Sequence, residues 1–595
     1  MAESPNKEGG GVVKILVSSD GKAVKDTVQF FSIETRKEIN KVSSARLVIA
    51  DGYVAEQDFP VSNSGDFKPG KKIKIELGYE SQADTVFEGI VVKQAISINN
   101  DAPQLVIVCQ DKAAAMTVER KNANYVDKSD SAIIKKLISN AKGLTAKVDD
   151  SGSAHPELVQ YYCTDWDFML SRAEAAGMLV MVDDGTVTVK TPDTSSSPKL
   201  KVAYGNDLIE FQAEMDAVSQ IASFSSASWD PTTQKVIKEL VGPKKFNQQG
   251  DLDSAALTET LSSPKVRLQT GAPLKSDFLK KWAESGRMKS GLARIRGSMT
   301  FQGNAKAKVG DLIELEGVGD HFNGKVFTST VRHEVSKGNW LTEVDFGISP
   351  DWFAERRDLT ALPAAGMLPA VEGLQIGIVM KLDGDPLKLH RIQVKVPVLQ
   401  AETEGIWARL ASCYASNKFG SFVLPEVNDE VILGYFNNDP SHPVIIGSLY
   451  NGKHAPPYPI KAPNDIKAFV SREKLTLELD EKNKVITVKT PAKNTIIISD
   501  KDKGVLIQDQ NKNKIELNAS GITLESPKDI KITAKGAIEM KASKDITLKA
   551  SGDLNGKGKK VALKGSMGFE ADGGMSAKVT ASGTTTIKGT LVQIN

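Results

Sequence analysis

Between residues 529 and 554 the chain reads DIKITAKG, AIEMKASK, DITLKASG and DL, and its apolar positions keep a beat of eight. Ile530, Ile538, Ile546 and Leu554 fill one column, and Ile532, Met540 and Leu548 fill a second two places on. Residues at i and i+2 share one side of a strand, so each octad predicts a strand of about five residues with one apolar face. Lys, Thr and Glu occupy the other face, and KG, SK or SG makes the turn. The spacing of three and four that a helix needs is missing. A single-chain solenoid carries apolar residues on every wall of each coil, whereas here only one wall is written. Other copies of the chain are expected to supply the rest, three being the simplest closed number. The alternative is an ordinary hairpin meander.

Elsewhere the pattern changes twice. From residue 12 to about 111, VVKILV, ARLVIADG, KKIKIELGY and QLVIVCQD read as strands. Ile73, Ile75, Leu77 and Tyr79 alternate with Lys74 and Glu76, as on a half-buried antiparallel strand. Past residue 120, helical stripes enter. Ile133, Ile134, Leu137 and Ile138 make one stripe, stopped by Gly143. Thr164 and Asp167 have capping-box spacing at the head of another helix, with Asp in place of Glu, and Gly177 ends it. A hairpin turning at Asp183, Asp184 and Gly185 follows, then a third helix near SDFLKKWAESGRMKSGLARI. Strands return over 305–350, and LPAAGMLPAVEG (362–373) reads as a linker.

Composition narrows the class. A chain of 595 residues exceeds one core, and 40% apolar with 25% charged residues is ordinary globular material. A net charge of +2 advertises neither nucleic-acid nor membrane-surface binding. Cys109, Cys163 and Cys413, scattered and odd in number, read as reduced residues of a protein made in the cytoplasm. MAESPNKEGGG has no apolar h-region, so residues 1–11 are expected to be a flexible leader and not a secretory signal.

The order of strands, helices and strands resembles the baseplate hub of contractile phage tails and of the related VgrG spike proteins. YYCTDWDFMLSRAEAAGMLVMVDDGTVTV (161–189) and KAKVGDLIELEGVGDHFNGKVFTSTVRHEVSKGNWLTEVDF carry that likeness. It implies two small hub barrels per chain, so that three chains make a pseudo-sixfold ring on a sixfold tube. Five short strands with Gly and Pro turns over 373–457 sketch an OB barrel. Their phrasing, with LPEVNDEV, GYFNNDP and PVIIGSLYNGKHAPP, resembles the spike-base barrel of the same family. Asn428 stands where the family more often has Gly, a change that a turn tolerates. Phe419, Phe422, Tyr435 and Phe436 would be the base-stacking residues of a nucleic-acid site. They lie beside Glu426, Asp429, Glu430 and Asp439, a poor cradle for phosphate.

The expected fold is mainly β with a minor α part. A flexible leader (1–11) precedes a first hub β-barrel (12–120) and a second hub part with helices and strands (121–361). The linker (362–373), the OB-fold barrel (374–457), the start of a β-prism (458–528) and the octad needle with its tip (529–595) follow. The needle is expected to be a triple-stranded β-helix or β-prism formed by a homotrimer. Its trimer core is assigned to Ile530, Ile532, Ile538, Met540, Ile546, Leu548 and Leu554. After Leu554 the register slips and small residues dominate, as a taper would require. The apolar ending Ile587, Leu591, Val592, Ile594 and Asn595 is expected to form a flat tip. The resemblance implies that a PAAR-type protein caps it; closure of the trimer core is the alternative, and the two are compatible.

No catalytic constellation emerges. His155, His321, His333, His390, His442 and His454 fall in separate segments without metal-ligand spacing. Asp529, Asp545 and Asp553 recur at one octad position, as turn residues do. The ten lysines 528, 531, 535, 541, 544, 549, 557, 559, 560 and 564 outnumber four acids there. They suit solubility, with attraction to anionic lipid as the second reading. No enzyme activity, metal or other cofactor is expected. The expected function is a trimeric spike of a contractile injection system that pierces a target envelope and helps deliver cargo. Its partners would be tail-tube and baseplate proteins, a tip protein, effector cargo and, transiently, the target membrane, without nucleic acid. Assembly in the cytoplasm and ejection on contraction complete that reading. A polysaccharide-degrading tailspike and a trimeric adhesin or scaffold fibre are the rivals. The type of machine, the target cell and the cargo stay open.

Overall fold

The structure, a computed structural model, describes residues 2–8, 11–80, 82–99, 102–356, 359–399 and 405–594. It divides into two units, Met1–Leu449 and Tyr450–Asn595.

In the first unit, alternating strands build one 13-stranded sheet. Its seam is the antiparallel pair of Phe30–Glu38 with Gly324–Ser336, which sets His333 opposite Thr35 and Val331 opposite Lys37. Strands expected to make separate hub barrels are therefore hydrogen-bonded into a continuous sheet over two separate cores. One core holds Ile33, Leu47, Ile73, Ile75, Phe87 and Trp340. The other holds Met299, Phe301, Val331, Val344 and Phe346.

The helices begin where their caps place them. Ser129 caps Asp130–Asn140, and Ile133, Ile134, Leu137 and Ile138 are buried. Thr164 caps Asp165–Ala175 by accepting from the Asp167 amide at 3.0 Å, while its hydroxyl donates to the Asp167 carboxylate at 2.6 Å. The short Asp side chain meets the cap hydroxyl, where a longer Glu would reach back to the cap amide. The third helix runs over Ser276–Leu292. In the hairpin Leu179–Asp183 with Thr186–Lys190, Asp183 closes the ladder opposite Thr186. Asp184 and Gly185, both at positive φ, make the two-residue turn.

The leader is a correction. Glu3 forms a parallel bridge to Leu200, with its amide 3.0 Å from the Lys199 carbonyl and its carbonyl 2.9 Å from the Lys201 amide. Pro5 is buried, and Ser4 donates to Asp207. Backbone pairing and a buried ring hold residues 3–5, where the sequence showed only charge and Pro. The linker is also tied, by Val371 N to the Asn438 carbonyl at 2.9 Å.

Five strands close a barrel: Gln375–Lys381, Ile392–Lys395, Ile406–Leu410, Pro443–Leu449 and Glu430–Tyr435. Val379, Val394, Ala408, Val431, Leu433 and Ile445 fill it completely. Asn428 takes φ +75°, the left-handed turn conformation that its place demands. Asp385 pins the loop before Ile392 by accepting from the Leu387, Leu389 and Arg391 amides and from the Arg391 guanidinium. That guanidinium, followed by the amides, holds its carboxyl far below the usual range.

The second unit opens as a seven-stranded antiparallel meander over residues 466–525. Strands of five residues alternate with tight turns, so this stretch is a hairpin sheet within one chain. Past Glu525 no strand pairing occurs among the described residues.

Candidate functional site: an apolar surface on the C-terminal unit

The meander is built on a repeat of 19 residues. Ser471, Thr490 and Asp509 open equivalent turns, and each side chain accepts the amide of the residue four places on. Lys474, Lys493 and Lys512 follow at φ 63°, 70° and 71°, and Lys484 and Lys503 hold left-handed positions in the intervening turns. The sequence reading missed this repeat because its marks are turn lysines, not apolar residues.

Pairing lays two apolar rows across one face. Phe469, Leu477, Val488, Ile496, Ile507, Ile515 and Leu524 are successive partners in the first. Leu479, Ile486, Ile498, Val505, Leu517 and Ile522 make the second. In a single chain most of these side chains are exposed, with Ile498 at 48%.

The rows give way to the octads. The backbone bends at 527/528, 535/536, 543/544 and 551/552, then at 559, 566/567, 574/575, 582/583 and 590/591. From 551 to 566 the two steps total fifteen residues, so one unit has lost a residue and the octads then resume. The expected slip after Leu554 is thus a single seven-residue step. With it counted, Ile530, Ile538, Ile546 and Leu554 continue as Val561, Phe569, Ala577 and Thr585. The second column, Ile532, Met540 and Leu548, passes Gly556 and continues as Leu563, Ala571, Val579 and Ile587. The first-column residues Ile530 to Leu554 are 51–70% exposed in the lone chain, and those of the second are no better covered. Each large aliphatic side chain gains about 1.5–3 kcal/mol on full burial. A stripe of this length is therefore a strong drive to associate.

The residues assigned to the tip separate. Ile587 stands in the second column, Leu591 lies at the last bend with Val592 beside it, and Ile594 falls off the column register. All four are exposed; Asn595 lies outside the described residues.

Clusters with chemical potential are elsewhere, and they are satisfied. Asp130 receives Arg172 Nε at 2.7 Å and His155 Nε2 at 3.1 Å, and the imidazole stacks on Phe278 at 4.1 Å. Burial works to raise the Asp130 carboxyl, but His155 and Arg172 together hold it below its usual value. His321 pairs with Asp251 and His442 with Asp439. Among the described residues no group of three or more His, Cys, Asp or Glu is arranged for a metal ion. On the barrel, Phe419 and Phe422 are exposed, and Asp429 and Asp439 cap local turns.

Three family models match successive parts of the chain. Residues 9–337 match the family model of the Alg8 N-terminal domain. Residues 375–450 match the type VI secretion system/phage-baseplate injector OB domain, and 485–595 match the phage baseplate V C-terminal trimerisation domain. The chain belongs to the Alg8 N-terminal domain family. The type VI secretion system spike protein VgrG3 of Vibrio cholerae is 31% identical over 97 residues, 15% of this chain and 10% of that protein. VgrG1b of Pseudomonas aeruginosa is 29% identical over 102 residues, 16% of this chain and 14% of that one. The matched stretch thus spans a small part of either relative. The 43 kDa tail protein of prophage MuSo2 from Shewanella oneidensis, at 12% identity and a TM-score of 0.44, covers 57% of this chain and 98% of its own.

Proposed function

We propose that the chain works as a homotrimeric spike of a contractile injection system. Its hub part docks on tail-tube and baseplate proteins, the barrel forms the neck, and the octad segment is the needle that pierces a target envelope. The observation that carries this reading is the apolar stripe running from the meander rows through Ile587, uncovered in one chain. Three copies facing one axis cover it. The match of 485–595 to a domain described as a trimerisation domain supports that number.

The chemistry is mechanical. Sheath contraction supplies the work, and interchain ladders resist bending because a bend breaks many pairings at once. A PAAR-type protein on the apolar end, effector cargo carried by the trimer, and ejection of a protein made in the cytoplasm complete the proposal. Sedimentation equilibrium of the full chain tests it. A species of three 64.1 kDa protomers is expected, and a monomer at micromolar concentration sinks the needle.

A further inference from the structure

On the meander face opposite the apolar rows, three lysines line one cleft. Lys474 and Lys493 sit at equivalent turns 19 residues apart, and Lys489 lies between them in the row Thr476, Lys489, Thr495. They line an open cleft of about 410 Å³. Thr476, Thr490, Thr495 and Tyr458 are its other polar lining residues. Each Lys-x-Thr unit is folded alike: Thr476 donates to the Lys474 carbonyl at 3.0 Å and Thr495 to the Lys493 carbonyl at 3.1 Å. Those bonds fix the two turns alike at the backbone.

Among the described residues no carboxylate lines the cleft. Glu478, on the same face, accepts the Tyr458 hydroxyl. Among the described residues none of the three lysines has an ion pair, although Lys514 on the same sheet bridges to both Glu516 and Glu525. The surroundings add to the effect. Between Tyr450 and Asn595 there are 25 Lys and Arg against 16 Asp and Glu, whereas the rest of the chain has 51 against 58. The near-neutral total conceals a cationic C-terminal unit. Three lysines that line one cleft concentrate positive charge there, which an anion offsets.

We infer that this cleft binds a phosphate group, as a free anion or as the exposed phosphate of a lipid headgroup. The lysines supply charge-assisted donors. The cleft lies within one chain, on the face opposite the apolar rows.

The test uses the full chain and two variants of equal charge. Lys474→Gln/Lys489→Gln/Lys493→Gln empties the cleft. Lys482→Gln/Lys484→Gln/Lys503→Gln removes as many lysines from the turns of the opposite sheet edge. Calorimetric titration with inorganic phosphate is expected to saturate for the parent chain and the control, and to weaken at least about tenfold for the cleft variant. Co-sedimentation with phosphatidylcholine vesicles containing phosphatidic acid separates the sources. Retention that depends on the cleft lysines identifies a headgroup site; phosphate binding without retention identifies a site for the free anion. Equal weakening in both variants, or no saturable phosphate binding by the parent chain, overturns the inference. Circular dichroism and sedimentation of each variant report folding and assembly independently.

Discussion

His333 has its ring in the seam of the large sheet, 2.9 Å from the Thr342 hydroxyl and beside Trp340. Burial first, then Lys37 and Lys308, pushes its pKa down to about 3. The folded protein therefore keeps the ring neutral where an unfolded chain would protonate it near 6.5. Between those values acid favours the unfolded state, so stability is full above about 6.5 and falls with pH by about 1.4 kcal/mol per unit. Melting of the first unit is expected to drop between pH 6.5 and 4.5, and more shallowly in His333→Gln; an identical slope in the variant would place the cause elsewhere. Glu174 offers a second case. Its carboxylate, buried, takes Lys289 at 2.6 Å and the Phe353 amide at 3.1 and 2.9 Å. Glu174→Ala strands a buried lysine and is expected to cost about 3–5 kcal/mol in denaturant unfolding, with Glu174→Gln milder. Neither residue was legible in the sequence. Both depend on partners brought together by the tertiary fold, and isolated His or Glu codes look alike whether buried or exposed.

At the scale of elements, period was legible and interruption was not. The columns from Ile530 to Leu554 show directly because each octad repeats its face. One missing residue then exchanges the faces of all that follow in a fixed count of eight, so Phe569 reads as a stray aromatic until the seven-residue step is seen. The helix cap at Thr164 was readable because capping is local. The pinned leader was not, because backbone bridges leave no mark on side-chain pattern. The register makes a sharp prediction. Phe569→Asp puts a charge into the first column and is expected to lower the thermal midpoint of the octad segment by as much as Ile538→Asp. Met567→Asp, at a bend and fully exposed, is expected to leave that midpoint unchanged. Equal loss in Phe569→Asp and Met567→Asp would refute the seven-residue step.

For the whole molecule, the two units differ in what completes them. The first owns its cores, with Ile33, Leu47, Met299, Phe301 and Val431 all fully buried within one chain. The second buries little by itself, since Leu477, Ile486, Ile498, Ile530 and Leu548 all remain exposed. A unit that draws its interior from other copies gains stability by mass action, because only the folded assembly binds them. Calorimetry of the full chain is therefore expected to show two transitions. The one belonging to residues 1–449 should stay fixed as protomer concentration rises, while the other should move to higher temperature. The order of that shift reports stoichiometry, and a phosphate-free buffer keeps the lysine cleft from contributing. If neither transition moved with concentration, the second unit would have to be stable alone with its apolar face in water. At about 25 cal/mol for each Å² of apolar surface left uncovered, the meander rows and octad columns make that the costlier state.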